Sequence, residues 1–109
     1  MKRLTLISLL FVLVVACGHK DKSFKPERLL SEQEMVDIMT DVQILESDMN
    51  YRKSKGENIE GMAQSYYDQL FEHYSITDSI FQQNIRYYTE RPPVLERIMD
   101  SVVGRLTRE

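Results

Sequence analysis

Residues that serve catalysis and metal binding are scarce in this chain of 109 residues, which contains one cysteine, two histidines and no tryptophan. The single cysteine, Cys17, has no partner for a disulfide bond within the chain. Nucleophilic catalysis needs a nucleophile, a base and an orienting group, and the only histidines are His19 and His73. The chain also lacks a glycine-rich phosphate loop and a histidine pair at zinc-binding spacing. We therefore expect no enzymatic activity, no metal site and no bound cofactor.

One weak metal hypothesis rests on Asp68 and Glu72, which are four residues apart, with His73 next to Glu72. Two carboxylates and an imidazole are able to bind a divalent cation. Neighbouring residues on a helix point about 100° apart, however, so His73 is directed away from Glu72. This geometry favours a solvated acidic helix face over a metal site.

Positive charge and strand patterns are also lacking. The 14 lysines and arginines are outnumbered by 17 aspartates and glutamates, which gives a formal net charge of −3. This balance argues against nucleic acid as a partner. No convincing alternation of apolar and polar residues indicates a strand after Cys17. We expect an all-α fold, a small bundle of about four helices, and a domain of this size leaves self-association open.

Residues 1–17 carry the clearest signal in the chain. Lys2 and Arg3 precede an apolar run from Leu4 to Val15, and Val14-Val15-Ala16-Cys17 places small residues before a cysteine. This is the pattern of a bacterial lipoprotein signal peptide. As a helix the apolar run would span only about 18 Å, short of the hydrocarbon core of about 30 Å. We expect cleavage before Cys17, followed by attachment of diacylglycerol and an acyl chain that anchor the protein in a membrane.

Three segments follow from this interpretation: a signal peptide over residues 1–16, a lipidated cysteine with a tether over residues 17–30, and a helical domain over residues 31–109. The tether is expected because Gly18 to Arg28 shows no hydrophobic period and Pro26 lies near the end of this run. Its basic residues are Lys20, Lys22, Lys25 and Arg28. They are able to contact anionic lipid. Because acidic residues within the tether dilute the charge, a solvated linker is favoured.

Capping signals and apolar stripes predict the helices of the domain. Ser31 and Glu34 fit a capping box, with Leu30 and Met35 at the staple positions, and Thr77 caps a later helix. Pro92-Pro93 opens the last one. The expected core stripes are Met35, Ile38, Val42, Leu45 and Met49 in helix one, Ala63, Tyr66, Tyr67, Leu70, Phe71 and Tyr74 in helix two, Ile76, Phe81, Ile85 and Tyr88 around helix three, and Leu95, Ile98, Met99, Val102 and Leu106 in helix four.

The outer face of helix one carries a candidate partner surface made of Asp37, Asp41, Ile44, Asp48 and Tyr51. Aspartates are ordinary on a solvated face, whereas Ile44 and Tyr51 are apolar and point outward by the same helical geometry. These two side chains are either covered by another segment of the domain or available to a partner. Cover within the domain is the favoured alternative, because small domains often recruit their flanking segments.

The order of motifs along the chain also carries a family resemblance. The motifs are Pro26, Leu29-Leu30, the run from Met35 to Val42, Tyr66-Tyr67, the run from His73 to Thr77, Phe81, Tyr87-Tyr88 and the segment from Leu95 to Val103. Their order resembles the bacterial lipoproteins grouped as domain of unknown function 4296, over roughly residues 24 to 106. The resemblance implies a small envelope lipoprotein of Bacteroidota-type bacteria. It implies no catalytic residue.

The residues after Cys17 predict the address of such a lipoprotein. Gly18 occupies the position where a signal for retention in the inner membrane would place aspartate. Surface export of Bacteroidota lipoproteins tends to use an acidic run after the cysteine, whereas His19-Lys20-Asp21-Lys22 is mostly basic. We expect the protein to be anchored in the outer membrane and to face the periplasm.

Two classes of function fit these expectations. The first is a lipid-anchored adaptor that holds an envelope protein near the membrane through the outer face of helix one. The second is a chaperone-like binder of peptides, because Tyr74-Ser75-Ile76-Thr77 followed by Phe81 resembles helical segments that precede prolyl isomerase domains in periplasmic assembly factors. A chaperone would need a large exposed apolar groove.

Overall fold

The structure is a computed structural model that describes residues 24–108. The predicted signal peptide, Cys17 and the first part of the predicted tether lie outside the described residues. The described part contains four helices and no strand, and we name the helices α1 (Glu32–Ser54), α2 (Glu60–His73), α3 (Asp78–Thr89) and α4 (Pro92–Thr107). The prediction of a small all-α bundle is therefore confirmed. Within residues 24–108, no helix combines the length and apolar character needed to cross a membrane.

The predicted capping signals lie at the helix ends. The Ser31 hydroxyl accepts the Glu34 N–H at 3.0 Å, and the Glu34 carboxylate accepts the Ser31 N–H at 3.3 Å. This reciprocal pair is a complete capping box. The Thr77 hydroxyl likewise accepts the Ile80 N–H at 3.2 Å at the start of α3. Unpaired N–H groups at both helix starts are thereby satisfied by local side chains, which the sequence encodes directly.

The turn after α2 depends on an unusual residue. Ser75 has a φ of 57°, in the left-handed region that glycine normally occupies. The Ser75 N–H donates to the Glu72 carbonyl at 2.9 Å, and the Ile76 N–H donates to the Phe71 carbonyl at 3.0 Å. These two bonds form a Schellman motif that ends α2 and directs Ile76 back into the core, where it is buried.

The core is formed between α1 and its two neighbours, α2 and α4, with α3 packed against both α2 and α4. The buried apolar residues that form one cluster are Leu30, Met35, Val36, Ile38, Val42, Phe71, Ile76, Phe81, Tyr88, Ile98 and Val102. Val36 and Thr40 lie outside the stripe predicted for helix one, yet both are buried. Because α1 is contacted by two helices, its buried face is wider than a single stripe.

Two predicted core residues of α4 are not buried. Met99 is 39% exposed and Leu106 is 37% exposed, whereas Ile98 and Val102 on the same helix are almost fully buried. Helix α4 contacts α1 and α3, and within the described part of the chain Met99 and Leu106 lie outside the surface that these two helices cover. Along α2, similarly, Phe71 is buried and the other predicted core residues are partly covered.

The segment before α1 is part of the folded domain, which corrects the predicted tether. The Leu30 N–H donates to Asn84 Oδ1 at 2.8 Å, and Asn84 Nδ2 donates to the Arg28 carbonyl at 2.8 Å. The Tyr88 hydroxyl donates to the Leu30 carbonyl, and the Glu27 N–H donates to Gln83 Oε1 at 2.8 Å. Residues 24–30 were expected to be a linker because they lack a hydrophobic period, but their backbone groups are paired with side chains of α3.

Asn84 offers a direct test of this attachment. Its side chain is completely buried and also donates to the Ile80 carbonyl at 2.8 Å, so all its bonds are made inside the protein. We expect Asn84→Ala to lower the free energy of unfolding by about 2–3 kcal/mol, because the buried Leu30 N–H loses its acceptor. Chemical denaturation of the parent and the variant measures this loss.

The matched control is Gln83→Ala, which removes the neighbouring bond to the Glu27 N–H at an exposed position. Water is able to replace that acceptor, so we expect a loss below about 1 kcal/mol. Equal losses in the two variants would show that the buried asparagine does not hold the segment in place.

Candidate functional site

The five residues of the candidate partner surface lie along one side of α1. Helix α4 packs beside the first part of this side, and its length determines which of the five are covered. Arg97 of α4 contacts Glu32 at 2.7 Å, and Arg105 contacts Asp37. Helix α4 therefore runs in the same direction as α1 and ends at Thr107, just after the contact with Asp37. The remainder of α1 extends past the end of α4.

Ile44 and Tyr51 lie on this extension. They follow Asp37 at intervals of seven residues, which places all three on nearly the same line along the helix. Ile44 is 45% exposed and Tyr51 is 59% exposed. The expectation that another segment of the domain covers these side chains is thus wrong for the described residues, because α4 is too short to reach them.

A groove between α1 and α2 borders the exposed line. Its volume is about 460 Å³, and its lining residues are Asp41, Ile44, Leu45, Asp48, Leu70, His73 and Tyr74. The two leucines and Ile44 make the floor apolar, and the two aspartates lie on the α1 rim. Leu70 and Tyr74 were expected to be core, and His73 was considered only as a metal ligand, so sequence reasoning missed this half of the site. The signal that could have found them is the width of the apolar and aromatic stripe predicted for helix two. A helix with few neighbours is unable to bury so wide a stripe, so part of it stays exposed.

The aspartates of the candidate surface differ in how their charge is compensated. Asp37 is paired with Arg105 and also accepts a hydrogen bond from Gln33 at 3.1 Å. Asp48 is paired with Arg52 at 3.2 Å. Asp41 accepts a hydrogen bond from the neutral Tyr74 hydroxyl. The groove therefore retains a negative charge at Asp41, whereas Asp37 and Asp48 are largely compensated within the domain.

Tyr74 joins α2 to α1 at the end of the groove. Its hydroxyl donates to the Asp41 carboxylate and lies 3.3 Å from the Asp37 carbonyl oxygen. Burial raises the pKa of Tyr74 above the ordinary tyrosine value, and the hydrogen bond to Asp41 and the negative charges of Asp41 and Asp37 raise it further. The hydroxyl is held in its protonated form, as a donor that fixes the groove wall.

Beyond the groove, toward the C-terminal end of α1, aromatic side chains pair with cationic ones. The Arg52 guanidinium donates to the Tyr66 hydroxyl at 3.2 Å and lies 5.8 Å from the centre of the Tyr66 ring. The Lys55 ammonium lies 4.9 Å from the centre of the Tyr51 ring. These contacts leave large parts of both helices accessible, and Met62 on α2 is 46% exposed. The accessible apolar surface thus spans both helices.

No group of three or more histidine, cysteine, aspartate or glutamate side chains within residues 24–108 is arranged to hold a metal ion. Asp68, Glu72 and His73 are all exposed. Asp68 accepts a hydrogen bond from Gln64 at 2.9 Å, and the His73 ring packs edge-on against Tyr74, with 5.1 Å between the ring centres. The chemistry that this arrangement supports is non-covalent binding of apolar and positively charged groups.

A family model for a domain of unknown function, DUF4296, matches residues 26–109. The chain belongs to the DUF4296 family. No curated protein and no solved structure matches the chain. The DUF4296 match begins at Pro26, inside the segment that is bound to α3, so it includes residues that were expected to form the tether. The extent of the family domain and the contacts of Asn84 therefore place the start of the domain before Ser31.

The Tyr74 contact predicts how the stability of the DUF4296 domain responds to alkaline pH. Because the pKa of Tyr74 is higher in the folded than in the unfolded state, its contribution is complete below the ordinary tyrosine value of 10.0 and is lost as the pH rises further. We expect the free energy of unfolding to fall above pH 10 in the parent and to fall less steeply in Tyr74→Phe. Urea denaturation at a series of pH values measures both slopes.

The control is Leu70→Ala, which weakens the same groove without removing a titratable group. It should lower stability at every pH and leave the alkaline slope of the parent unchanged. Burial also raises the pKa of Tyr67 and of Tyr88, so part of the slope persists in Tyr74→Phe. Identical slopes in the parent and Tyr74→Phe would contradict the role assigned to the Asp41 contact.

Proposed function

We propose that this protein is a lipid-anchored adaptor of the bacterial cell envelope. In this proposal Cys17 carries diacylglycerol and an acyl chain, and the outer membrane holds the protein on its periplasmic side. The candidate partner surface and the groove beside it, which together we call the α1/α2 surface, bind an envelope protein. The observation that carries the proposal is the exposure of Ile44 and Tyr51 on the part of α1 that extends past α4. Exposed apolar side chains beside an apolar groove are typical of protein-binding surfaces.

The shape of this surface favours a helical partner segment. Helix α4 already packs along the line of α1 that contains Asp37, and Ile44 and Tyr51 continue the same line beyond Thr107. A second helix that follows α4 end to end along α1 would bury both side chains by the same side-by-side packing. Such a partner needs apolar residues three or four positions apart.

The charge of the surface adds a second requirement for the partner. Asp41 lies on the groove rim, and its contact within the domain is a hydroxyl group rather than a cation. A lysine or arginine at the edge of the partner helix would pair with this carboxylate and fix the register of the two helices. The overall net charge of −3 also favours a basic partner through its long-range field.

Two observations weigh on the other functional hypotheses. The chaperone hypothesis rests on the run from Tyr74 to Thr77 with Phe81, and of these residues Ile76 and Phe81 are buried in the core. Side chains used in this way are not available to a client peptide, so the adaptor is the function we propose. The scarcity of nucleophile and base pairs leads us to propose further that the protein has no enzymatic activity.

Anchoring through Cys17 is tested by metabolic labelling with an alkynyl fatty acid. We expect the protein to be labelled and to lose residues 1–16, because lipidation precedes cleavage at a lipoprotein signal. Cys17→Ser should abolish the label and leave the precursor uncleaved, as seen by mass spectrometry. Labelling that persists in Cys17→Ser would contradict the lipid anchor.

Partner binding is tested by crosslinking and pull-down from intact envelopes. We expect one stoichiometric partner, whose yield falls at least tenfold in the double variant Ile44→Ser and Tyr51→Ser because both apolar anchors are lost. The melting temperature should change by less than about 3 °C, because these side chains contribute little to the core.

The matched control is the double variant Met99→Ser and Val103→Ser, which removes similarly exposed apolar side chains from α4. It should retain the partner. Loss of the partner in both double variants, or a large fall in melting temperature without loss of binding, would show that the α1/α2 surface is not the binding site.

A further inference from the structure

A second surface lies where the described chain begins, and we call it the N-terminal face. It surrounds a cavity of about 240 Å³ lined by Phe24, Lys25, Pro26, Leu29, Tyr87 and Arg91. Leu29 is 53% exposed, although its neighbour Leu30 is completely buried. The segment therefore presents Leu29 to solvent and Leu30 to the core. Leu29 plays no part in the α1/α2 surface.

Cations border the apolar residues of this face. The Arg86 guanidinium lies 4.0 Å from the centre of the Phe24 ring, and the Arg91 guanidinium lies 3.6 Å from the centre of the Tyr87 ring. Arg91 also donates to the Tyr87 carbonyl at 2.8 Å, which fixes its position. Stacked arginine and aromatic side chains combine an apolar ring with a charge, a composition suited to the boundary between water and lipid.

The N-terminal face is locally positive on a protein of negative net charge. Its cations are Lys25, Arg86 and Arg91, and the nearby acidic residues are Glu27 and Glu90. Arg86 lies 3.9 Å from Glu90, a long ion pair. Within residues 24–108 no carboxylate pairs with Lys25 or Arg91 at ion-pair distance. Two positive charges therefore remain available to an anionic surface.

Chain length limits how far this face is able to move from the lipid anchor. Six residues separate Cys17 from Phe24 in the sequence, and even fully extended they allow about 24 Å between the two Cα atoms. The α1/α2 surface lies further along the domain. At about 1.5 Å of rise per residue, Ile44 and Tyr51 lie about 20 and 30 Å along α1 from Ser31. The tether thus keeps Phe24, on the N-terminal face, within about 24 Å of the anchor, whereas the exposed apolar residues of the α1/α2 surface begin about 20 Å along α1.

We propose that the N-terminal face docks on a bilayer that contains anionic phospholipid, with Leu29 inserted at the headgroup level and Lys25 and Arg91 paired with lipid phosphates. This inference rests on the proposed anchoring of Cys17. Docking orients α1 away from the bilayer, so that the α1/α2 surface is presented to a partner at a fixed height. The anchor then supplies attachment and the N-terminal face supplies orientation.

The absence of tryptophan from the chain makes the docking measurable by fluorescence. The probe is Leu29→Trp, and the control is Tyr51→Trp at the far end of α1. Each lipidated variant is reconstituted into vesicles of phosphatidylethanolamine and phosphatidylglycerol at a ratio of 7:3 that contain a brominated lipid as quencher. We expect at least twofold stronger quenching and a blue-shifted emission for Leu29→Trp. Equal quenching of the two probes would overturn the proposal.

Charge variants test the recognition of anionic lipid. In the Leu29→Trp background, Lys25→Glu with Arg91→Glu should reduce quenching to the level of Tyr51→Trp, and so should vesicles of pure phosphatidylcholine. Because Arg91 also bonds to Tyr87, the single variant Lys25→Glu is a second test, and we expect it to lose about half of the excess quenching. Excess quenching that is unchanged in both charge variants would overturn the electrostatic part of the proposal.

Mass spectrometry of Cys17 separates this inference from the proposed anchoring. Lipidated Cys17 without stronger quenching at Leu29 would overturn the docking and leave the anchor in place. If Cys17 is unmodified, the anchoring proposal fails. The same tryptophan variants are then coupled to a maleimide lipid through Cys17, the single thiol of the chain, and the quenching comparison decides the docking independently.

Discussion

The buried side chain of Asn84 is the contact on which the arrangement of the domain depends. It bonds to the backbone on both sides of Leu29, through the Arg28 carbonyl and the Leu30 N–H, and it also bonds to its own helix at the Ile80 carbonyl. Burying a polar group without a partner costs free energy. Any shift of the segment along α3 would break these bonds, so they fix the position of the segment. The position of Leu30 in turn places Ser31 where it caps α1.

The fixed start of α1 determines which surfaces are exposed. Helices α1 and α4 run in the same direction, but α4 ends just after the contact between Arg105 and Asp37. Within residues 24–108 the neighbour of the second half of α1 on this side is α2, and the groove between them contains Ile44 and Asp41. At the opposite end, the segment held by Asn84 turns Leu29 outward. The surface proposed to bind a partner and the surface proposed to dock on lipid are thus separate regions of the domain.

Local chemistry made much of this fold predictable. A capping box needs Ser31 and Glu34 three residues apart, and the bonds between them form within a single turn of helix. The start of α3 at Thr77 and the start of α4 at the proline pair follow from equally local rules. Ile98 and Val102 were also correctly assigned to the core. Leu106, on the same stripe, was not, because burial requires a neighbouring helix whose length the stripe does not encode.

The sequence by itself therefore determined the helices, the starting residues of α1, α3 and α4, and the family resemblance, because each depends on residues that are adjacent or recur with the helical period. The tertiary structure decided the rest. Asn84 and Leu30 are 54 residues apart in sequence, and no local pattern pairs a lone asparagine with a backbone so distant. The exposure of Ile44 likewise depends on where α4 ends relative to α1. Contacts between distant segments arise only when the helices pack. The sequence therefore indicated the α1 part of the partner surface, but neither the α2 side of the groove nor the N-terminal face.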